Sequence, residues 1–457
     1  KLFVKEYVAS FPKPLVANYF SATCIFLLSS LFYINKLIIM TDKKHHVSVQ
    51  AIFNLLPQDE IMKIGQTLNV DFHARKLYGC IFLKLLIYGQ LLSLKLSQRK
   101  LDAIYDSPSF KALNRSVSSE GLSHQSISAR LKVMPSEYFQ DIYRTLCVMF
   151  GGLLPMTAVD GQIICAVDST MVSETAAKLK EGMRVGVKAK SPDARKLVKY
   201  TMSYDGGTVL YSQLHTLPRY LDEDNALGEA VCAVSKKYQG QPVIYTFDRG
   251  IKGGGLLASF DSENIRFVGR LNPGRRIDEL GDCTAGAGKL PDGVKVLSDK
   301  MVQLYGKKGR SALPNRLRVV TADVGHPIGW RPGSRTAKES VIVLITDELE
   351  LTAAEILEIY KKRWKIESFF RFLKQELNFS HFISVNQNGM ESILYITLIT
   401  ALLIKIYMAC NRNNADFAKF RIGLELLGDL CQFLQGKMPQ PPLQSPAEIK
   451  QILLAQT

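Results

Sequence analysis

Tryptophan, histidine and cysteine are scarce in this chain, and each scarcity excludes a class of site. Only two tryptophans, seven histidines and eight cysteines occur among 457 residues. The cysteines lie far apart without a Cys-x-x-Cys pair, so the sequence indicates neither a zinc site nor a disulfide scaffold. The expected compartment is therefore a reducing cytoplasm. One adjacent histidine pair, His45 and His46, is interpreted as solvated, and a Ser/His/Asp or Cys/His set for covalent catalysis is lacking.

Acidic residues are too few to balance the basic ones. The chain has 58 Lys and Arg against 42 Asp and Glu, which gives a formal net charge of +16. This excess favours a polyanionic partner, although charge alone fits an ordinary basic protein equally well. Basic residues cluster at positions 178–199 and 300–338. The length corresponds to roughly two to four domains.

Long apolar runs are few, and the first lies near the start of the chain. Residues 15–39 contain CIFLLSSLFYI, which is apolar enough to suggest a membrane helix. Polar residues such as Lys36 interrupt the run, and Met40 opens a segment typical of a cytosolic amino terminus. We interpret residues 1–39 as translated upstream of the true start or disordered, in preference to a membrane anchor.

Residues 40–155 are predicted to be helical. Amphipathic or buried helices are predicted at residues 51–65 and 73–94. Residues 121–143 predict a serine-capped helix, a short break and a second helix, compatible with a helix-turn-helix that offers Ser126 to Lys132 to DNA. A plain helical hairpin is equally compatible with this pattern.

The most informative segment runs from Thr352 to Leu377 and predicts a single helix. Thr352 and Glu355 form a capping box at its start. One stripe is apolar and is expected to pack on a core: Ile359, Ile366, Phe369, Phe370 and Leu373. At about 100° per residue, four polar residues fall within roughly 60° of one another. They are Tyr360, Arg363, Glu367 and Lys374.

A carboxylate flanked by two cations and a phenol suits a metal ion and a phosphate. On a random charged helix such a stripe is more often a solvated face with i,i+4 ion pairs. Two distant segments favour the functional interpretation, because apolar runs end at Asp168 and at Asp248, where predicted strands give way to loops. Ligands of α/β sheets bind at strand ends. Asp168, Asp248 and Glu367 are therefore predicted to form a carboxylate trio for two divalent metals.

These features resemble the bacterial DDE transposases with the YREK signature, the insertion sequence 4 family. The resemblance covers about residues 160–410, and includes both aspartates, the Asp-Arg-Gly sequence and every spacing of Tyr-x2-Arg-x3-Glu-x6-Lys. It implies that Asp168, Asp248 and Glu367 are catalytic and bind two Mg²⁺ ions, for which Mn²⁺ can substitute. It also implies a set of residues that bind the phosphates of the transposon end: Tyr360, Arg363, Lys374 and Arg249.

The implied fold is α/β, with a ribonuclease H-like catalytic core, a β-rich insertion and an all-α N-terminal DNA-binding domain. After the Asp168 strand, the pattern predicts a meander at residues 196–217, a helix at 225–238, the Asp248 strand and a further strand at 265–271. The 119-residue separation of Asp248 and Glu367 leaves room for an insertion. Its β-like segments are VKVLSD, VQLYG and RLRVVTADV, with SVIVLITD following them. The implied division is 1–39, 40–155 (DNA binding), 156–271 with 340–410 (core), 272–339 (insertion) and 411–457 (helical tail).

Trp330 and Arg331 are candidate DNA contacts within that insertion. Gly329 and Pro332 suggest a turn tip, where an indole beside a cation can stack on an unpaired base. In the family, an aromatic of the insertion holds a flipped base near the transposon end. A tryptophan packed on its own turn is an equally compatible interpretation.

Two further segments carry simpler interpretations. GAGKL, at residues 286–290, superficially resembles a phosphate loop but lacks its full spacing, so no nucleotide cofactor is assigned. Residues 393–408 are apolar around most of the helix circumference but short for a membrane span, so they predict a buried core helix.

The resemblance implies a DNA transposase that excises and inserts an insertion sequence by two-metal phosphoryl transfer, through DNA hairpin ends. Its implied partners are terminal inverted repeats, target DNA and a second copy of the chain in a synaptic complex, without a membrane. The implied location is the bacterial cytoplasm, at the nucleoid. Two alternatives remain open: a ribonuclease H-like structure-specific nuclease, and an inactive DNA-binding protein derived from a transposase.

Overall fold

The structure is a computed structural model, and it describes thirteen stretches of the chain. These are residues 47–92, 95–114, 121–172, 179, 181–184, 196–238, 240–251, 253–272, 274–305, 312–326, 340–412, 418–426 and 445–455. The predictions for residues 1–39, His45, His46, Trp330 and Arg331 lie outside these residues. The chain divides into two compact units: Lys1–Leu146 with Ile399–Thr457, and Cys147–Leu398.

The described residues form helices in both units. In chain order they are α1 (Val49–Phe53), α2 (Gln58–Thr67), α3 (Gly79–Leu92), α4 (Gln98–Asp106), α5 (Pro108–Leu113), α6 (His124–Val133), α7 (Ser136–Phe150), α8 (Glu223–Lys237), α9 (Gly254–Ser262), α10 (Ala353–Lys362), α11 (Trp364–Glu376), α12 (Gln387–Asn411) and α13 (Pro446–Leu454). Helices α7 and α12 contain the boundary residues.

In the first unit, the described residues up to Leu146 form helices α1 to α6 and most of α7. Ser123 caps α6 through a hydrogen bond from the Ser126 amide, and α7 follows after a two-residue break, so the predicted helix, break and helix are confirmed. Within α6, the guanidinium of Arg130 donates to the carbonyl of Val70, at 2.7 Å, and pairs with Asp71. This cation is therefore held inside the unit rather than directed outward.

Two predicted helices in this unit are shorter than expected. Residues 51–65 do not form one helix, because Pro57 separates α1 from α2 and disfavours helical geometry at the residue before it. Residues 73–94 are helical only from Gly79. His73 adopts a positive φ of 74°, and the Gly79 amide donates to the carboxylate of Asp71 at the start of α3.

The second unit is built on one sheet of eleven described strands, giving a mixed α/β fold. They are β1 (Ala158–Val159), β2 (Gln162–Val172), β3 (Met183–Arg184), β4 (Lys196–Tyr204), β5 (Val209–His215), β6 (Val243–Phe247), β7 (Arg266–Arg270), β8 (Ile277–Asp282), β9 (Lys295–Tyr305), β10 (Ala312–Asp323) and β11 (Val341–Thr346). The order is β3-β4-β2-β6-β7-β11-β10-β9-β8, with β1 paired to β2 and β5 paired to β4. The predicted meander is therefore confirmed as β4 and β5.

Three parallel strands at the centre of the sheet align their carboxyl ends. Ala166 of β2 is level with Thr246 of β6, which is level with Val268 of β7. Continuing two residues along each strand places Asp168, Asp248 and the last residue of β7 in one row. Since side chains alternate along a strand, this row shares the face occupied by Ile164, Ile244 and Val268.

Helices cover both faces of this central region. On one face, α8 and α9 pack through apolar side chains such as Val231 and Phe260 against Phe247 and Phe267. On the other face, Ile356 and Ile359 of α10 pack against β6 and β7. Each fully buried aliphatic or aromatic side chain contributes roughly 1.5–3 kcal/mol, so these contacts hold the strand ends against the helices.

The strands predicted as an insertion continue the same sheet. VKVLSD and VQLYG belong to one strand, β9, and β10 and β11 link β9 to the central strand β7. Strand β8 was not predicted, because its sequence IDELGD is acidic and contains glycine, residues with low β propensity.

Helix α12 is longer than the predicted segment. It has 25 residues and is apolar enough to cross a membrane by length and composition, but 83% of its most apolar window is buried within the protein. The phenol of Tyr395 donates to the carbonyl of Ser212 on β5. The prediction of a buried core helix is therefore confirmed.

Candidate active site

The predicted catalytic helix is divided in two at Arg363. The capping box is present, since the Thr352 hydroxyl accepts from the Glu355 amide and the Glu355 carboxylate accepts from the Thr352 amide. Helix α10 ends at Lys362 and α11 begins at Trp364. Between them the hydrogen bonds are of the 3-10 type, from the Arg363 amide to the Tyr360 carbonyl and from the Ile366 amide to the Arg363 carbonyl. The structure therefore divides the predicted helix into α10 and α11, while the backbone of Arg363 itself stays right-handed helical, with φ −55° and ψ −31°. The segment contains neither proline nor glycine. The break coincides with Arg363, whose side chain pairs with Asp168 on β2 and with Glu367 on α11.

The break leaves the apolar stripe intact. All five of its residues are buried, each with 6% exposure or less: Ile359, Ile366, Phe369, Phe370 and Leu373. The Phe369 ring stacks on Tyr204 of β4, at 4.6 Å between ring centroids and 9° between planes. The stripe therefore anchors both halves of the divided helix to the sheet.

Arg363 lies at the centre of the predicted carboxylates. Its guanidinium pairs with Glu367, at 2.6 Å, and with Asp168, at 3.7 Å, and it lies 5.3 Å from the centre of the Tyr360 ring. Burial would lower the pKa of this guanidinium, but Tyr360, Asp248, Glu367 and Asp168 together raise it. Arg363 is thus a fixed cation among three acids that would otherwise repel one another.

Asp168 has the most perturbed carboxylate of the site. Its side chain retains 26% exposure, yet burial of the carboxylate raises its pKa to about 7. Arg363 and a hydrogen bond from the Ser169 amide oppose this rise, while the negative charges of Glu367 and Asp248 add to it. The mutual influence of these three carboxylates places them in one electrostatic environment.

Asp248 and Tyr360 form the second contact of the site. The Tyr360 phenol donates to Asp248 Oδ1, at 3.2 Å. Burial raises the pKa of this phenol to about 12, with Asp248 adding to the rise and Arg363 opposing it, so Tyr360 stays a neutral donor at physiological pH. Tyr360 therefore contacts a carboxylate here rather than facing solvent.

The remaining predicted cations lie near this group. Burial lowers the pKa of Lys374 and the charge of Asp168 opposes that shift, which places the ammonium within electrostatic reach of the acid. Arg249 follows Asp248 directly, and its carbonyl accepts from the Asn272 side chain. The structure thus brings seven of the predicted site residues to one edge of the sheet.

Arg270 is a site residue that the sequence prediction missed. It ends β7 in the same row as Asp168 and Asp248, and its charge lowers the pKa of the Tyr360 phenol. Among the described residues, the buried Nε atoms of Arg249, Arg270 and Arg363 lack a hydrogen-bond partner. The available signal was the sequence IRFVGR, at residues 265–270, a predicted strand that follows the Asp248 strand in the chain and ends in a cation.

The donor chemistry of the site fits a divalent cation. Carboxylate oxygens at strand ends and on a helix are the ligands that hard cations prefer. Within the described part of the chain, however, no three His, Cys, Asp or Glu side chains lie close enough to form a metal cluster. Arg363 lies between two of the acids and already supplies a positive charge.

The known proteins that this chain is similar to are transposases. Residues 160–403 match the family described as transposase DDE domain. A Sinorhizobium fredii protein classed as a transposase, y4zB, is 28% identical over 220 residues, 46% of this chain and 56% of that protein. A Geobacillus stearothermophilus protein classed as the transposase of insertion sequence element IS5377 is 21% identical over 148 residues, 30% of this chain and 38% of that protein. The chain thus spans about half the length of the first relative and less of the second.

A solved structure shows a weaker likeness. The cryo-EM structure of the piggyBac transposase synaptic complex with hairpin DNA has a TM-score of 0.43 and 11% identity, covering 88% of this chain and 84% of that one.

Proposed function

Because the chain belongs to the transposase DDE domain family, we propose that it is the transposase of a bacterial insertion sequence, which cuts and joins DNA by metal-dependent phosphoryl transfer. The observation that carries this proposal is the convergence of Asp168, Asp248 and Glu367 around Arg363 at one edge of the sheet. These acids come from two strands and a helix that are far apart in the sequence. The proposed partners are terminal inverted repeats, target DNA and a second copy of the chain, in the cytoplasm and at the nucleoid.

The strand order supports a ribonuclease H-like core. Strands β2, β4 and β5 form an antiparallel meander, and β6 and β7 run parallel to β2 on its other side, with α8 between β5 and β6. In this proposal, residues 156–271 and 340–410 form the core and residues 272–339 the insertion. Residues 40–155 would form the helical DNA-binding domain, and residues 411–457 the tail.

The three carboxylates would hold the divalent cations, in the simplest case two Mg²⁺ ions with Mn²⁺ as a substitute. When bound, such cations neutralise phosphate oxygens and activate the attacking oxygen. The three carboxylates outnumber the single positive charge of Arg363 among them, so the site attracts further cations.

The protein's own cations and phenol would position the DNA. Arg249, Arg270 and Arg363 each retain a buried donor nitrogen without a partner among the described residues, and phosphate oxygens are strong acceptors for such donors. Lys374 would supply a further charge, and Tyr360 a neutral hydrogen bond. Trp330 and Arg331 are proposed to stack on and contact a base near the transposon end, where cleavage proceeds through a DNA hairpin.

The proposal is tested by DNA cleavage with three variants of the full chain. Glu367→Gln and Asp168→Asn remove ligand charge with little change of shape, so cleavage of DNA carrying the flanking inverted repeats should fall by several orders of magnitude in Mg²⁺. Glu358→Gln is the matched control, because Glu358 is an exposed acid of α10 that pairs with Lys362. End binding should change little in all three, since the affinity comes mainly from cation contacts to phosphate.

Three outcomes would contradict the proposal or narrow it. Near-normal cleavage by Glu367→Gln would remove the assignment of the acids. Absence of cleavage by the unaltered protein on its own inverted repeats would favour the inactive DNA-binding descendant. Cleavage of branched DNA without strand transfer would favour the structure-specific nuclease.

A further inference from the structure

The first turn of α8 contacts the ends of both strands that carry the aspartates. The Glu223 carboxylate accepts a hydrogen bond from the Ser169 hydroxyl, at 3.1 Å, beside Asp168. The next residue, Asp224, accepts from the Gly253 amide, at 2.9 Å, in the loop after Asp248. Gly250 in that loop packs so closely that an added Cβ would lie 2.9 Å from the Cβ of Glu223.

Glu223 is held by a buried cation. The Lys199 side chain is fully buried, and its ammonium pairs with Glu223 Oε1, at 2.8 Å, and donates to the Tyr220 carbonyl, at 2.7 Å. The other oxygen, Oε2, is the one that accepts from Ser169. The hydroxyls of Ser169 and Thr201 are also 2.9 Å apart. Both carboxylate oxygens of Glu223 are therefore engaged.

Ser169 connects this network to the opposite face of the sheet. Neighbouring residues of a strand point to opposite faces, so Asp168 faces α11 while Ser169 faces α8. The Ser169 amide donates to Asp168 Oδ1, at 2.7 Å. The hydrogen bond from the Ser169 side chain to Glu223 therefore also fixes the direction of the Ser169 amide, which holds the Asp168 carboxylate.

We infer that Glu223 is a positioning residue of the active site. Through Ser169 it orients Asp168, and through its contact with Gly250 and its neighbour Asp224 it restrains the loop that follows Asp248. This inference rests on the proposed function, because it takes Asp168 and Asp248 to bind divalent cations. Groups that hold metal ligands from behind commonly change metal affinity by about 10-fold to 100-fold when they are removed.

The test measures Mn²⁺ binding to the full chain, without DNA, by electron paramagnetic resonance. Ser169→Ala removes the connecting hydroxyl but keeps the amide and the buried Lys199–Glu223 pair. We expect its Mn²⁺ dissociation constant to rise by about tenfold. Thr201→Val is the matched control, since it removes the other partner of Ser169 and leaves Glu223 in place, and its dissociation constant should stay within about twofold of the unaltered protein. Ser169→Thr retains a hydroxyl and should restore binding.

A second variant tests Glu223 itself. Glu223→Gln alone leaves the Lys199 charge buried without a counter-ion and can prevent folding. The double variant Lys199→Met, Glu223→Gln removes both charges, and should weaken Mn²⁺ binding as much as Ser169→Ala does. Thermal unfolding of each variant separates loss of stability from loss of binding. Thr201→Val is a useful reference here, because it also loses a buried hydrogen bond and so controls for the effect of that loss on stability.

Asp168→Ala, measured in the same series, separates failure of the proposed metal site from failure of the positioning role of Glu223. If Asp168→Ala binds Mn²⁺ like the unaltered protein, the proposed metal site fails. If Asp168→Ala loses binding while Ser169→Ala and the double variant bind normally, the positioning role of Glu223 is overturned and the proposed function stands.

Discussion

Asp168 and Asp347 are two acids whose pKa is strongly raised by burial, and their surroundings differ. Burial raises the pKa of each carboxyl to about 7. Asp168 lies beside Arg363 and two other acids, whereas Asp347 follows β11 and accepts a hydrogen bond from the Phe267 amide, at 2.7 Å. The raised pKa of Asp347 is thus a cost of its place in the fold.

Replacing Asp347 with asparagine should stabilise the protein at alkaline pH. Between the unfolded pKa of about 3.9 and the folded pKa of about 7, the folded state keeps a proton that the unfolded state releases. Stability therefore falls as pH rises through this window, and the full cost applies above it. Allowing for partial exposure, Asp347→Asn should gain about 1–3 kcal/mol at pH 8 and nothing near pH 3.

Chemical denaturation at both pH values measures this effect. Glu350→Gln, at an exposed neighbouring acid, serves as the control. An equal change in the Asp347→Asn variant at pH 3 and pH 8 would contradict the argument, because only ionisation makes the cost depend on pH.

Lys374 offers a prediction that separates phosphate contact from metal binding. If its ammonium contacts phosphate, Lys374→Ala should weaken binding of the transposon end by about 1.5–3 kcal/mol and reduce the slope of log affinity against log salt by about 0.9. Lys361→Ala, at an exposed lysine of α10, should leave both quantities nearly unchanged. Loss of Mn²⁺ binding by Lys374→Ala as complete as that of Asp168→Ala would assign this lysine a different role.

At the scale of elements, the start of α10 is held by the loop between β8 and β9. The carbonyls of Gly286 and Ala287 accept from the amides of Ala353 and Ala354, at 3.1 and 2.9 Å. These are amides of the first helical turn, which lack partners inside the helix. The loop that contains GAGKL thus caps the amino terminus of α10, the helix that carries Tyr360.

Gly288 is the residue of this loop most sensitive to substitution. It has a φ of 70°, and an added Cβ would lie 2.6 Å from the Thr352 hydroxyl oxygen. Gly288→Ala should lose about 1–2 kcal/mol through backbone strain and about 1–3 kcal/mol through displacement of the capping residue, and should slow DNA cleavage.

Gly286→Ala is a close control for this prediction. Gly286 has a φ of 78° and nothing within 4 Å of an added Cβ, so it carries the backbone strain alone. Thermal unfolding and cleavage rates of the two variants give the comparison. Equal behaviour would show that contact with Thr352 has no part in placing α10.

Local signals predicted the elements well where their causes are local. The Thr352 capping box and the apolar runs ending at Asp168 and Asp248 are short-range patterns, and each appears in the structure. The division at Arg363 could not be predicted, because no residue nearby breaks a helix. Arg270 and Glu223 were missed for a related reason: their importance arises from strand register and cross-sheet contacts, which are tertiary properties.

At the scale of the whole second unit, continuity of the sheet is the dominant property. Strand β11 joins β7 to β10, so the strands predicted as an insertion share hydrogen bonds with the central sheet. We therefore expect the two parts to unfold together rather than independently.

Leu317→Ala tests this expectation from a distance. Leu317 lies on β10 and is fully buried, so its truncation should cost about 2–5 kcal/mol. In a Trp330→Phe background, the fluorescence of Trp364 reports on α11, where its side chain is 46% exposed. The Trp364 transition should shift as far as the transition seen by circular dichroism. An unchanged Trp364 transition would show that β8–β10 unfolds as a separate module.

The wide spacing of the three acids along the chain has a consequence for the newly made protein. Parallel pairing of β2 with β6 requires a crossover connection, and Glu367 reaches the site only after the long segment from β8 to β11 has been synthesised. Contacts of such high sequence separation form late in folding, because loop closure must precede them. A nascent or truncated chain that ends before α11 therefore lacks the third acid, and any affinity that its helical segments have for DNA would be exercised without strand cleavage.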